Sequence, residues 1–127
     1  GLAAMSMSKG GSIEVAMALW QRQYEESDRE DVRENARNHL LSYRVATDLW
    51  TLEFLIEKFH AATGTFPASL RELVRARPRK YSTADPTGVP YAYDPQTGAV
   101  RLGPDSKIRF LKVPEIYKEQ LRLLVAD

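Results

Sequence analysis

The feature that most constrains this chain is the interval between Gly11 and Gly64, which contains neither glycine nor proline. Because these two residue types are the strongest helix breakers, the whole interval favours α-helix. Ser12 can cap a first helix, in which apolar residues recur with the 3.6-residue period of an amphipathic helix. These residues are Ile13, Ala16, Met17, Trp20 and Tyr24.

A capping-box pattern at Ser27 and Glu30 predicts a break and the start of a second, longer helix. That helix should run to about Thr63, with Gly64 as its C-terminal stop. Its second half is apolar around most of its circumference, so it must be covered on more than one side. The residues responsible are Leu49, Trp50, Leu52, Phe54, Leu55, Ile56 and Phe59.

Shorter elements follow the long helix. Ser69 and Glu72 form another capping-box pattern, which predicts a short helix. Residues 91–93 and 99–102 are short apolar runs around a turn rich in proline and glycine. They predict a β-hairpin in which Gly98 supplies a left-handed position.

The last part of the chain predicts two more elements. Ile108, Phe110 and Leu111 can add a third short strand, and Pro114 can begin a terminal helix. The apolar face of that helix would be Ile116, Tyr117, Leu121 and Leu124. The expected fold class is α+β: two long helices and a short helix packed with a small antiparallel β-sheet and a C-terminal helix.

The order of the pieces after the long helix resembles a known family. Gly64 ends the helix, residues 66–74 (FPASLRELV) form the short helix, and residues 85–93 (DPTGVPYAY) lead into the sheet. Over about residues 59–107 the chain resembles the soluble part of the major pseudopilins of type II secretion and related type IV pilin-like proteins. The resemblance implies a long helix onto which the short helix and the sheet pack.

The chain departs from that family in two places. The family's hydrophobic N-terminal half-helix is replaced here by a polar, charged helix. The family's calcium loop is rich in Asp and Gly, whereas residues 102–107 offer a single carboxylate, Asp105. Because calcium is held by about 6–8 oxygen ligands, we predict no calcium site.

The first helix carries a second resemblance, over residues 11–28. Four of its residues have the spacing found in the second helix of a tetratricopeptide repeat: Gly11, Ala16, Trp20 and Asp28. Gln23 departs from that pattern, which has a small residue there. The resemblance implies the C-terminal end of a helical-repeat protein whose last repeat continues into a pilin-like cap. Gly1 in place of an initiator Met agrees with a piece of a longer polypeptide.

Together these patterns predict one domain, residues 12–127, whose length is sufficient for a modest core. Residues 12–48 would be tetratricopeptide-like helices. Residues 49–127 would hold the pilin-like long helix, short helix, hairpin and terminal helix. Residues 1–11 would be a disordered or expression-derived N-terminus.

No catalytic motif is found: the sequence lacks a P-loop, a Gly-rich dinucleotide turn, GxSxG and HExxH. It has no cysteine, which excludes disulfides and thiolate metal sites. His39 and His60 would lie about 31 Å apart on one helix at about 1.5 Å per residue. Glu57 and His60 form one Glu-x-x-His, whereas di-iron bundles need two. We therefore predict no enzyme, no metal and no cofactor.

The charge pattern argues against a polyanionic partner. The net charge is +1, so the chain has no general attraction for nucleic acid or an anionic membrane. No stretch reaches the about 18 apolar residues of a membrane span. Six acids lie between Glu25 and Glu34 and five bases between Arg71 and Lys80, and we interpret both runs as solvated faces.

Two tyrosines offer alternative interpretations. Tyr91 and Tyr93 flank Ala92, so they share one face of a strand. They could stack on a base or a sugar. The preferred interpretation is that they cover the apolar half of the long helix, which needs large side chains over it.

The sequence thus predicts a non-enzymatic structural or protein-interaction domain ending a tetratricopeptide-like helical-repeat protein. The alternative is a pseudopilin-like subunit of a secretion or pilus-type filament. The candidate interaction surface is Met17, Trp20 and Leu40, where a preceding repeat would stack. Expected partners are another protein, the rest of the parent chain, or a second copy; nucleic acid and membrane are not expected. The pilin resemblance and the lack of cysteine lean toward the periplasmic side of a bacterial cell envelope, and the sequence leaves the compartment open.

Overall fold

The computed structural model describes residues 13–126, with side chains described as far as residue 120. Its elements are α1 (Ile13–Glu26), α2 (Glu30–Thr63), α3 (Leu70–Leu73), β1 (Ala92–Asp94), β2 (Ala99–Arg101) and α4 (Glu115–Ala126). Four helices, two of them long, and a two-stranded antiparallel sheet confirm the predicted α+β fold class. The predicted N-terminal segment, residues 1–11, and the Ser12 cap lie outside the described residues.

A tight turn separates α1 from α2. The Ser27 hydroxyl accepts a hydrogen bond from the Arg29 N–H at 3.1 Å, so it bonds two residues along the chain. This local turn takes the place of the predicted capping box between Ser27 and Glu30, because a serine hydroxyl can satisfy either pattern. The Glu30 carboxylate instead lies 3.6 Å from Nε of Arg33.

The other predicted helix ends are confirmed. α2 stops before Gly64, whose φ of 81° is in the left-handed region and whose N–H donates to the His60 carbonyl at 2.8 Å. The capping box of α3 is present: the Ser69 hydroxyl accepts from the Glu72 N–H at 3.1 Å. The Glu72 carboxylate reaches back to the Ala68 N–H at 3.0 Å.

The predicted hairpin is also confirmed. β1 and β2 pair antiparallel with Tyr93 opposite Val100. The Gly98 N–H donates to the Asp94 carbonyl at 2.8 Å and closes the turn. Gly98 has a φ of 75°, a conformation that glycine adopts without the penalty of a Cβ atom.

The predicted third strand at Ile108, Phe110 and Leu111 is wrong, since this stretch has no regular secondary structure. Its backbone bonds to a helix side chain in place of a neighbouring strand. The Ser42 hydroxyl on α2 is buried, donates to the Arg109 carbonyl at 3.4 Å and accepts from the Leu111 N–H at 2.9 Å. The Ser42 hydroxyl therefore binds the backbone of a segment that the apolar pattern suggested would join the sheet.

The described chain divides into two compact units. The first unit comprises residues 13–46 and 108–126, and the second comprises residues 47–107. α2 continues from one into the other. The first unit is therefore discontinuous in sequence, because the terminal segment groups with the first helices.

Packing in the first unit joins α1, α2 and the terminal segment. Its buried cluster is Ile13, Tyr43, Ala46 and Val113, with Met17, Trp20 and Tyr117 packed partly against it. The Ile13 N–H donates to Oε1 of Gln120 at 2.6 Å, which joins the start of α1 to α4. This bond satisfies a helix N-terminal donor that has no partner within its own helix.

The second unit packs short elements onto the second half of α2. Its buried apolar residues are Leu52, Ile56, Pro67, Leu70, Val74, Tyr91 and Val100. The predicted burial of the apolar half-helix is only partly met, because five of its seven large apolar residues remain half-buried. Trp50 and Phe54 are among these and stack on each other, with ring centroids 5.5 Å apart.

Candidate interaction groove

The first unit contains an open groove of about 470 Å³. Its lining residues come from α1, α2 and the start of the terminal helix: Ala16, Leu19, Trp20, Gln23, Tyr43, Pro114 and Tyr117. We call this the aromatic groove. It has the size and the predominantly apolar lining of sites that take an apolar side chain or ligand.

Ring contacts fix the aromatic walls of the groove. Tyr43 is buried and meets Tyr117 edge to face, with centroids 5.7 Å apart and planes at 80°. Trp20 stacks on His39 at 3.9 Å with the two planes 3° from parallel. Because offset stacks and edge-to-face pairs are the favoured arrangements of aromatic rings, these walls are built before any ligand binds.

Burial also keeps the walls uncharged. It raises the pKa of the Tyr43 hydroxyl, and the charge of the neighbouring Tyr117 raises this pKa further. A hydrogen bond with Trp20 acts in the opposite direction, but burial is the larger effect. Burial lowers the pKa of His39 below its ordinary value. At neutral pH both side chains are therefore neutral. Neither Tyr43, which lines the groove, nor His39, which stacks on the lining residue Trp20, adds a fixed charge there.

Large apolar side chains exposed to solvent are concentrated in this unit. Among the residues with described side chains they are Leu19 (48% exposed), Phe110 (43%) and Ile116 (44%). All three belong to the first unit, and Leu19 lines the groove. Among the same described residues, the second unit has more aromatic side chains than the first. None of its large apolar side chains is exposed to this degree.

The three residues predicted as an interaction surface are divided between two grooves. Trp20 lines the aromatic groove. Met17 and Leu40 line a second, smaller groove of about 280 Å³ together with Gln21, Tyr24, Arg37, Leu41 and Arg44. All three are half-buried, so their own packing already uses part of their apolar surface.

Sequence reasoning missed the three exposed large apolar residues among those described. Leu19 lies outside the periodic stripe of α1, and an apolar residue outside such a stripe is the signal that could have found it. Ile116 was assigned to the inward face of the terminal helix, but its side chain is exposed. Phe110 was assigned to a strand that does not form. Tyr43 and Pro114 had no distinguishing pattern, because their neighbours come from distant parts of the chain.

The second unit contains a buried carboxylate, Asp85, which is 4% exposed. Oδ1 accepts from the Thr87 N–H at 2.7 Å, the Thr87 hydroxyl at 2.6 Å and the Val89 N–H at 3.2 Å. Oδ2 accepts from the Ser106 hydroxyl at 2.6 Å. Burial alone would raise the pKa of Asp85, but these hydrogen bonds outweigh it and hold the pKa below its ordinary value. Asp85 is thus an ionised structural anchor joining residues 85–89 to Ser106.

The two tyrosines of the hairpin region also have structural partners. Tyr91 is 5% exposed, and its hydroxyl donates to Oδ2 of Asp48 at 2.6 Å. The Tyr93 hydroxyl donates to the Pro67 carbonyl at 2.6 Å, and its ring is half-buried. Burial, followed by the charges of Asp94 and Glu72, raises the pKa of Tyr93. The ring of Tyr91 therefore has little surface left on which a base or sugar could stack.

In the described part of the chain, no three His, Cys, Asp or Glu residues are grouped so that they could hold a metal ion. His60 stacks on Phe66 at 4.2 Å, within the second unit. No helix in residues 13–126 is both long enough and apolar enough to cross a membrane.

Comparison with known proteins adds no relative from which a site could be transferred. No protein-family model, no curated protein sequence and no solved structure matches this chain.

Proposed function

We propose that this chain is a non-enzymatic protein-interaction domain whose first unit docks an amphipathic helix of a tetratricopeptide-like repeat. The observation that carries the proposal is the aromatic groove, whose lining includes the exposed Leu19. The other exposed large apolar side chains among the described residues, Phe110 and Ile116, belong to the same unit. A concave, predominantly apolar surface of this size is typical of binding sites.

The lining of the groove favours a helix as its occupant. Helices α1, α2 and α4 contribute its walls, and Gln23 is the one amide side chain among its lining residues. An amphipathic helix can place its apolar face in such a groove while its polar face stays in water. A preceding helical pair would dock in this way, which agrees with the tetratricopeptide resemblance of residues 11–28.

Among the described residues, the buried carboxylate and the half-buried histidine have structural partners, which supports the non-enzymatic part of the proposal. The buried carboxylate Asp85 has its pKa lowered by hydrogen bonds that occupy both oxygens. A general acid needs the opposite shift, and a general base needs a free oxygen. His39 is stacked on Trp20, a residue that lines the groove.

A filament subunit is the second candidate function, favoured by the second unit. The end of α2 at Gly64, the Ser69 capping box, the Asp85 loop and the hairpin occur in the order that the pilin-like resemblance implies. In that role the second unit would be exposed on a filament, and the partner would be another copy of the chain.

The fluorescence of Trp20 provides a test, because this side chain lines the groove. A single-tryptophan variant, Trp50→Phe, would be titrated with a consensus tetratricopeptide helix pair. We expect saturable binding with a shift in Trp20 emission. The dissociation constant should be about tenfold larger for Leu19→Ser, since one apolar anchor is lost. Ala18→Ser is the matched control, because Ala18 is an exposed neighbour that does not line the groove. Absence of saturable binding, or equal affinity in Leu19→Ser, would contradict the proposal.

A further inference from the structure

The second unit carries a run of positive charge that no other described residue neutralises. We call residues 71–80 the basic segment; its exposed cationic side chains are Arg71, Arg75, Arg77, Arg79 and Lys80. None of them forms an ion pair with a described residue. Its one acid, Glu72, is bonded to the Ala68 N–H. Five bases against one acid leave the segment with a net charge of +4.

This charge is displayed on an ordered backbone. Three successive turns hold the segment by N–H to carbonyl bonds, from Arg75 to Glu72 at 3.3 Å, from Arg77 to Val74 at 2.9 Å and from Lys80 to Arg77 at 3.1 Å. A partner that binds here does not have to order a flexible chain first, which lowers the cost of association. Arginine also prefers carboxylate and phosphate partners, which it can bind through two N–H groups.

The first unit carries the opposite charge at the turn between α1 and α2. We call residues 22–34 the acidic turn; six acids against three arginines leave it with a net charge of −3. The arginines pair within the turn: Arg22 with Glu26 at 3.6 Å, Arg29 with Asp31 at 2.8 Å, and Arg33 with Glu30 at 3.6 Å. The exposed carboxylates of Glu25, Asp28 and Glu34 have no cationic partner among the described residues.

We propose that the basic segment of one copy binds the acidic turn of a second copy of this chain. The two surfaces are exposed, oppositely charged and similar in magnitude. A nucleic acid or an anionic vesicle would be attracted to the basic segment but repelled by the acidic turn. A second copy neutralises both, so charge complementarity favours self-association over a polyanion.

The contact joins two different surfaces, and each copy carries both of them. Two copies close into a two-fold dimer if both pairs of surfaces meet at once, and further copies add to the ends if only one pair meets. None of the charged residues of this contact lines the aromatic groove, although Gln23 of the same turn does. The contact is argued from charge alone and stands independently of the proposed helix docking. It supplies a lateral contact of the kind that the filament alternative requires.

The first measurement is sedimentation velocity of the chain in about 0.1 M and about 1 M salt, between which the screening length falls from about 10 to about 3 Å. We expect the average mass to rise with protein concentration at the lower salt. The apparent dissociation constant should increase at least about tenfold at the higher salt, because the paired groups are exposed. A monomer at every concentration in low salt would overturn the proposal.

Charge reversal tests the assignment of the two surfaces. The basic-reversed variant is Arg75→Glu, Arg77→Glu and Arg79→Glu, and the acidic-reversed variant is Glu25→Lys, Asp28→Lys and Glu34→Lys. Each should be monomeric alone, since each then carries two surfaces of like charge. Their equimolar mixture should associate again, because the acidic-reversed chain offers positive surfaces to the negative surfaces of the other. A mixture that stays monomeric would overturn the proposal, and its components can be checked for folding by circular dichroism.

A matched control separates local charge from net charge. The variant Arg101→Glu, Lys107→Glu and Lys112→Glu changes the net charge by the same amount as the basic-reversed variant, at exposed positions outside the segment. It should associate like the wild-type chain. Loss of association in this control, or in Leu19→Ser, would refute the assignment to these two segments. Salt-sensitive binding of single-stranded RNA or anionic vesicles without self-association would assign the basic segment to another partner and overturn the proposal.

Discussion

The two units are stabilised in different ways. The second unit is specified by close local contacts: a buried carboxylate with four hydrogen bonds, and glycines where a side chain has no room. A Cβ on Gly103 would collide with the Pro90 carbonyl oxygen. The first unit is assembled from segments that lie far apart in the sequence. An apolar groove shares residues with its core cluster.

This difference indicates a division of roles. Hydrogen-bonded anchors and close-packed glycines define one conformation and leave little surface for a ligand. Exposed leucine, phenylalanine and isoleucine side chains contribute little to the stability of the unit that carries them, and they remain available to a partner. We therefore expect substitutions at the buried anchor and the close-packed glycines of the second unit to affect unfolding, and substitutions at the first unit's exposed apolar residues to affect helix docking.

The largest effect is expected for Gly98→Ala. Its φ of 75° disfavours alanine, and the new Cβ would lie 2.6 Å from two ring carbons of Phe66. Overpacking and backbone strain together should lower the free energy of unfolding by about 3–4 kcal/mol. Gly88→Ala is the matched control: its φ is 95°, but a Cβ there would meet no atom within 4 Å, so about 1 kcal/mol is expected. Denaturant unfolding should follow Trp50, which lies in the second unit; equal losses would contradict the packing argument.

Asp85→Asn should have the next largest effect, about 2–3 kcal/mol, because an amide cannot accept on both sides as the carboxylate does. The pKa of Asp85 is lower in the folded chain than in the unfolded chain. Its ionisation therefore stabilises the fold above the unfolded pKa, and this contribution is lost as the pH falls through the folded pKa. Unfolding measured from about pH 6 down to about pH 2 should show a weaker acid dependence in Asp85→Asn than in the wild type. Asp105→Asn, at an exposed position, serves as the control; an unchanged acid dependence in Asp85→Asn would refute the anchor.

Tyr91→Phe tests the alternative that the tyrosines bind a ligand. The substitution removes the bond to Asp48 in a buried site, and we expect a loss of about 1–2 kcal/mol in denaturant unfolding. Tyr93→Phe removes a bond to the Pro67 carbonyl at a half-buried position and should cost less. If neither substitution moves the unfolding midpoint, the hydroxyls are not structural and ligand stacking becomes the better interpretation.

A smaller, pH-dependent effect is expected in the first unit from His39. Burial lowers its folded pKa below 6.5, so protonation favours the unfolded chain. The neutral form therefore stabilises the unit above the unfolded pKa, and this stability decreases as the pH falls through about 6.5. Thermal unfolding monitored by Trp20 should show a decrease in Tm between about pH 7.5 and about pH 5.5, which His39→Phe removes. Equal pH dependence in both proteins would show that the stack on Trp20 is not responsible.

The smallest effect on stability is expected for Leu19→Ser. Because half of this side chain is already exposed, the free energy of unfolding should change by no more than about 0.5 kcal/mol. Chemical unfolding of this variant beside Ala18→Ser provides the measurement. A loss comparable to that of Gly98→Ala would mean that Leu19 belongs to the core, and the contrast between the two units would fail.

The sequence by itself determined the local elements. The glycine- and proline-free interval predicted α1 and α2, Ser69 and Glu72 predicted the cap of α3, and Gly98 predicted the hairpin turn. Each of these depends on residues only a few positions apart, and such short-range preferences act before any tertiary contact forms. The α+β fold class follows from their order.

Only the tertiary structure decided where the terminal segment packs and which apolar residues stay exposed. Residues 108–111 have a strand-like pattern, yet the Ser42 hydroxyl binds their backbone to α2. Tyr43 and Tyr117 meet across more than seventy residues of sequence, so no local pattern could predict the groove between them. The hydrophobicity of a residue and its place in a periodic pattern indicate that its side chain can be buried. Whether the side chain is buried depends on which residues from distant parts of the sequence pack over it.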